Sequence, residues 1–127
     1  MSSYLIVFLG AGIGGALRHG VNLGAARLLG PGFPWGTLAV NVAGSLAMGM
    51  LAEWLAVRAV EAWTQPVRLF LATGILGGFT TFSAFSLDAM LLWARGEQAL
   101  AGVYVLASVV LSLGGLAAGL ALVRQLT

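Results

Sequence analysis

Arginines, prolines and acids punctuate this chain into four apolar stretches, over residues 4–26, 35–57, 67–93 and 99–123. Each reaches the roughly 20 residues that a helix needs to cross the hydrocarbon of a bilayer. Between the first two, Gly30-Pro31-Gly32-Phe33-Pro34 predicts a tight turn, with Pro34 suited to open the next helix. A short polar loop holding Arg58, Glu61, Gln65 and Pro66 follows the second, and Arg95-Gly96-Glu97-Gln98 makes the last turn. Trp35, Trp54, Trp63 and Trp93 all fall near predicted ends, where amphipathic rings settle among headgroups. The pattern predicts an all-α integral membrane protein: four transmembrane helices in one domain, with both termini on the same side.

The third stretch breaks that monotony at its centre. Gly77-Gly78-Phe79-Thr80-Thr81-Phe82-Ser83-Ala84-Phe85 sets glycines and hydroxyls where hydrocarbon penalises any unpaired polar group. Irregular backbone at such depth must be buried in protein or line a passage, so a broken third helix marks a candidate ion or substrate site. Two other stretches carry polar residues at helical spacing. Thr37, Asn41 and Ser45 recur every four residues on the second, and Tyr104, Ser108 and Ser112 on the fourth. Phe82 and Phe85 share a face beside Thr80, Thr81 and Ser83. A lone hydroxyl in a membrane helix usually bonds its own backbone four residues back. Three coincident stripes point instead to a narrow polar path between helices.

The path is built from uncharged donors, which suits a small anion. An Asn41 amide and hydroxyls of Thr81, Ser83 and Ser108 can replace part of a hydration shell. Aromatic ring edges are electropositive and can face the same ion. A cation path favours carboxylates or stacked carbonyls, yet Asp88 is the one acid inside a stretch, and Glu53 sits near an end. Asp88 either senses ion occupancy or is an ordinary interfacial carboxylate. Arg18, about fifteen residues into the first stretch, either gives a vestibule a positive potential or snorkels to the interface. His19 beside it reads as a boundary residue.

Composition narrows the classes. Of 127 residues 60% are hydrophobic and 8% charged, with mean hydropathy +1.00. Soluble domains carry about a quarter charged residues, so a water-soluble globule is excluded and no separate soluble domain fits. Met1-Ser2-Ser3-Tyr4 offers no basic region before the first stretch, which is expected to be a retained span and not a signal peptide. Cysteine is absent, which removes disulfides and thiolate chemistry. The pI near 10.0 comes from arginines flanking the spans and gives no support to nucleic-acid binding. Among its polar residues there is no histidine cluster, no carboxylate pair and no base beside a serine, so no enzyme is expected.

Charge placement bears on assembly. Arg58, Arg68 and Arg124 fall on the side of the termini, Arg27 and Arg95 on the other, which is almost no bias under the positive-inside rule. Either the slight excess fixes one orientation, or the chain inserts both ways and pairs as an antiparallel homodimer. No internal repeat is convincing, so inverted symmetry has to come from a second copy. Nineteen glycines, including Gly10 with Gly14 and Gly115 with Gly119, predict close helix packing and not a phosphate loop.

These residues resemble the Fluc (CrcB) family of fluoride channels. The match lies in Gly15-Ala16-Leu17-Arg18, in Gly36-Thr37-Leu38-Ala39-Val40-Asn41-Val42-Ala43-Gly44-Ser45 and in Gly77 to Phe85, with length and four-span layout agreeing throughout. The resemblance implies a dual-topology antiparallel homodimer with two pores in a prokaryotic cytoplasmic membrane, passively exporting fluoride. It implies that Phe82 and Phe85 contact fluoride through ring edges, that Asn41 is the pore asparagine and Arg18 the vestibule arginine. Thr81, Ser83, Tyr104, Ser108 and Ser112 then line the polar track. Gly77 and Thr80 then offer backbone carbonyls from both subunits to a central sodium ion. Two positions depart from the family: Ala84 stands where threonine is usual, and Asp88 where glutamate is common. Both are expected to modify conduction without abolishing it.

Two other classes compete. A small multidrug-type exporter is also a four-span dimer, but needs a carboxylate in the first span, and residues 4–26 hold none. A non-transporting assembly subunit, held by its glycine seams, leaves the stripes unexplained.

Overall fold

A computed structural model describes residues 2–127. Helix α1 covers Ser3–Leu29 and α2 Trp35–Ala56. The third span is composite: α3 (Thr64–Arg68), a π-wound segment (Leu69–Leu76), α4 (Gly77–Phe79) and, after a break, α5 (Phe82–Ala94). Helix α6 covers Gln98–Leu126. Four helical spans are thus long and apolar enough to cross a membrane, and the third is bent at its centre.

Local chemistry sets the ends. The Ser2 hydroxyl accepts from the Leu5 N–H (3.2 Å) and caps α1. Gly30 closes it with φ of 78°, a left-handed value that a side chain would strain, while its N–H reaches the Ala26 carbonyl. Pro34 then opens α2, whose first residues have no intrahelical partner for an N–H.

Packing is arranged by missing side chains. Helix α2 lies most extensively against α6, and α1 against the π segment. A Cβ added at Gly49 would collide with the Leu116 carbonyl, and one at Gly119 would sit 2.8 Å from the Met50 nitrogen. Gly10 and Gly74 face each other so closely that a Cβ on either would lie 2.9 Å from the other's Cα. Backbones in lipid associate through such dispersion contacts, since lipid tails are as apolar as leucine. Of the two expected glycine pairs, Gly10 and Gly14 are both pressed on the third span, while Gly115 has ordinary spacing and Gly119 is tight. We expect Gly49→Val to lower stability in detergent by about 2 kcal/mol, because the opposing group is backbone and cannot swing away. Gly12→Ala, with nothing within 4 Å of the new atom, should leave the melting temperature unchanged.

Polar groups collect at the membrane boundaries. On the side of the termini, Arg124 grips Glu53 as a fork, Nε to Oε1 at 3.2 Å and Nη2 to Oε2 at 3.1 Å, joining the ends of α2 and α6. Arg58 stacks 4.6 Å over Trp54, which leans on Trp63, an aromatic anchor suited to headgroups. Buried apolar side chains are few. Leu92, Ala101 and Tyr104 form a small core with Phe33, Leu38 and Phe85, at the end of the bundle opposite the termini.

Candidate functional site

Thr80 and Thr81 break the third span. Both are extended, at φ −89°, ψ 156° and φ −154°, ψ 118°, so the helical ladder is lost across them. Several of the groups that this frees find new partners. The Thr81 N–H donates to Asn41 Oδ1 at 2.8 Å, and Asn41 Nδ2 donates to the Thr81 carbonyl at 3.1 Å. One side-chain amide thereby replaces a strand neighbour and clamps the break to α2. Thr81 Oγ1 accepts from the Ala84 N–H at 3.1 Å and caps α5. Arg18 Nε, from α1, donates to the Gly78 carbonyl at 3.1 Å. The charge expected either to line a vestibule or to snorkel thus holds a carbonyl that the break exposes.

The break leaves four carbonyls, those of Gly77, Gly78, Phe79 and Thr80, without their helical donors, and Arg18 serves one of them, Gly78. A continuous helix would pair Gly77 with the Thr81 N–H and Thr80 with the Ala84 N–H. Those donors serve Asn41 and the Thr81 hydroxyl instead. The Gly77 and Thr80 carbonyls therefore keep acceptor capacity at the break, and hard carbonyl oxygen is the donor chemistry that suits an alkali cation. Among the described residues no group of three or more acids, histidines or cysteines could hold a metal.

Beside the break lies a cavity of about 400 Å³ between α2, α5 and α6. Asn41, Thr81, Phe82, Phe85, Ser108 and Ser112 all line it, as do Ser45 and Thr80. Two residues of each helical stripe, Asn41 with Ser45 and Ser108 with Ser112, converge with the interrupted segment on one space, while Thr37 and Tyr104 lie outside it. Ser108 is 5% exposed, and its Oγ makes no hydrogen bond of good geometry among the described residues, with the Tyr104 hydroxyl within reach one turn back. A buried hydroxyl left so is costly unless something in the cavity uses it. Phe82 and Phe85 approach at 5.4 Å between centroids, tilted by 47°. Phe82 is 78% exposed in the single chain, so its ring projects out of the bundle. No acid lines this cavity.

A comparison with protein families decides the kinship: the model described as CrcB-like protein, Camphor Resistance (CrcB), matches residues 5–120. The chain belongs to the CrcB family. A relative from Methylobacterium nodulans, named fluoride-specific ion channel FluC, is 61% identical over 127 residues, spanning 98% of each chain. One from Nitrobacter hamburgensis, named fluoride-specific ion channel FluC 2, is 57% identical over 98% of this chain and 99% of its own. A FluC from Rhodopseudomonas palustris is 55% identical over the same shares.

Other expected site residues of this CrcB chain lie outside that cavity. Ser83 is exposed and pairs with Thr81 Oγ1 at 3.2 Å. Tyr104 is fully buried, wedged between Phe85 (5.3 Å) and Phe33 (5.4 Å, edge-on), with its hydroxyl 3.2 Å from Asp88 Oδ2. It fills the stripe position one turn before Ser108, with Asp88 above. A second cavity of about 400 Å³ opens by the α1–α2 turn and includes Thr37, Ala84, Asp88, Arg95 and Asn22. Sequence reasoning passed over Asn22. The one available signal was a carboxamide four residues beyond Arg18 in an apolar stretch.

Proposed function

We propose that this chain is a fluoride-specific ion channel, passively exporting fluoride across a prokaryotic cytoplasmic membrane and lowering cytoplasmic fluoride. One observation carries the reading: Ser108, Asn41 and the Phe82 and Phe85 rings line one acid-free cavity at the break. Ser108 supplies an O–H. Asn41 keeps one N–H free after serving Thr81. Phenyl edges add positive potential. In a low-dielectric passage such donors replace hydration for a compact anion without fixing it so tightly that it stays. The names of the relatives from Methylobacterium nodulans and Nitrobacter hamburgensis point the same way.

The working unit in this reading is an antiparallel homodimer. The nearly even arginine placement supports dual insertion, and the outward Phe82 supports a second subunit that covers it. Across a two-fold axis the Gly77 and Thr80 carbonyls of both subunits form a four-oxygen set for one structural sodium ion, whose charge eases entry of the anion. Ser83 and Tyr104 extend the polar track, Arg18 gives the vestibule positive potential, and Asp88 couples to ion position through its contact with Tyr104.

The test is efflux from potassium-loaded liposomes with valinomycin and a fluoride electrode. Fluoride should leave and chloride should stay. Proton-driven uptake of a cationic drug would instead support an exporter, and no flux from a folded preparation an assembly subunit. Phe82→Ile should lower fluoride flux about tenfold, since aromatic edge contacts contribute up to about 1.5 kcal/mol, while dimerisation persists on gel filtration. Sodium should raise the melting temperature of purified protein relative to choline at matched ionic strength. Equal melting temperatures in the two salts would remove the ion from the interface.

A further inference from the structure

The cavity by the α1–α2 turn holds an amide that this pathway does not use. Asn22 lines it together with Thr37, Asp88 and Arg95. A Cβ added at Gly36 would collide with Asn22 Oδ1 and lie 3.0 Å from the Asn22 Cα, so the bare Gly36 backbone is what admits this carboxamide against α2. Its place is therefore built by two helices and not by a free rotamer. Among the described residues the Asn22 side chain takes part in none of the hydrogen bonds formed by polar side chains. A half-buried amide within a span needs a partner from the cavity itself.

The charged neighbours are already engaged. Arg95 Nη2 reaches Glu97 Oε2 at 3.1 Å and the Gly32 carbonyl at 3.4 Å, and Asp88 accepts from Tyr104. The Arg95 charge is offset by Glu97, and the Asp88 carboxylate is occupied by the Tyr104 hydroxyl. An anion arriving there is then discriminated by uncharged donors, and Thr37 leads from this space along α2 to Asn41, one turn further on.

We propose that Asn22 is the first protein donor a fluoride ion meets at this mouth, trading a water of hydration for the side-chain N–H before passing to Thr37 and Asn41. The proposal rests on the fluoride-channel reading, and wild-type efflux tests that reading separately. With wild-type efflux in hand, Asn22→Leu should slow fluoride release about fivefold, the equivalent of one hydrogen bond of about 1 kcal/mol, and Asn22→Ser should restore most of it. The chain lacks cysteine, so Asn22→Cys carries a single thiol. A water-borne, negatively charged methanethiosulfonate should label it, block flux, and react more slowly in saturating fluoride. Leu23→Cys, on the exposed apolar surface of α1, should not react. A purely packing role would give low flux in both the leucine and serine variants, with no fluoride protection of the thiol. Wild-type flux in Asn22→Leu, or labelling of Asn22→Cys without loss of flux, would overturn the proposal. Should Asn22→Leu fail to fold, the thiol experiment alone decides.

Discussion

Asn41→Asp is expected to reduce fluoride efflux at least about a hundredfold, the largest loss of any single substitution considered. The amide makes two bonds of opposite polarity to one residue, Oδ1 accepting from the Thr81 N–H and Nδ2 donating to the Thr81 carbonyl. An ionised carboxylate keeps the first and turns the second into two acceptors face to face. It also places a negative charge on a cavity meant for an anion. Unpaired charge in a poorly hydrated site costs about 3–5 kcal/mol, and 1.4 kcal/mol is tenfold in rate or affinity, hence the hundredfold floor. The break itself need not collapse, because the Thr81 cap on Ala84 and the Arg18 bond to Gly78 remain. Liposome efflux read beside gel filtration separates the outcomes. A dimeric Asn41→Asp protein conducting at the wild-type rate would take Asn41 out of the pathway.

The four spans were legible because hydrocarbon leaves a chain few options, and charged or prolyl residues mark where it leaves the membrane. The break was legible for the same reason: hydroxyls and paired glycines at mid-depth have no cheap helical explanation. Helical spacing placed Asn41 and Ser45 of α2 with Ser108 and Ser112 of α6 around one cavity. What periodicity does not encode is which polar groups turn inward on their own backbone. Thr80 Oγ1 donates to the Leu76 carbonyl at 2.9 Å and Ser86 to that of Phe82 at 3.0 Å, both local solutions open to any membrane hydroxyl. The partner of Arg18 lies sixty residues along the chain, which no local pattern specifies. The π winding of Leu69–Leu76 was equally hidden, since it accompanies the close approach of Gly10 to Gly74 and has no propensity signature of its own. Asn22 escaped because it belongs to no stripe; Gly36, on another helix, gives it its place.

Ser108→Ala should make the protein more stable and a poorer channel at once. Ser108 is 5% exposed and its hydroxyl makes no hydrogen bond of good geometry among the described residues, the Tyr104 hydroxyl one turn back being within reach but poorly placed. In the resting fold it is thus a buried polar group poorly satisfied. Removing such a group relieves a desolvation cost of about 1–3 kcal/mol, and a methyl leaves almost no void. The melting temperature should therefore rise. A fluoride ion in the cavity, however, loses a donor, and hydrogen bonds to charged groups contribute about 1.5–3 kcal/mol, which predicts flux lower by roughly thirtyfold. The opposite signs make the experiment diagnostic. A serine kept only for packing gives a stability change with unaltered flux, and one bonded to an unseen protein neighbour gives a fall in both. Only a hydroxyl held in reserve for a passing anion gives a firmer fold that conducts worse.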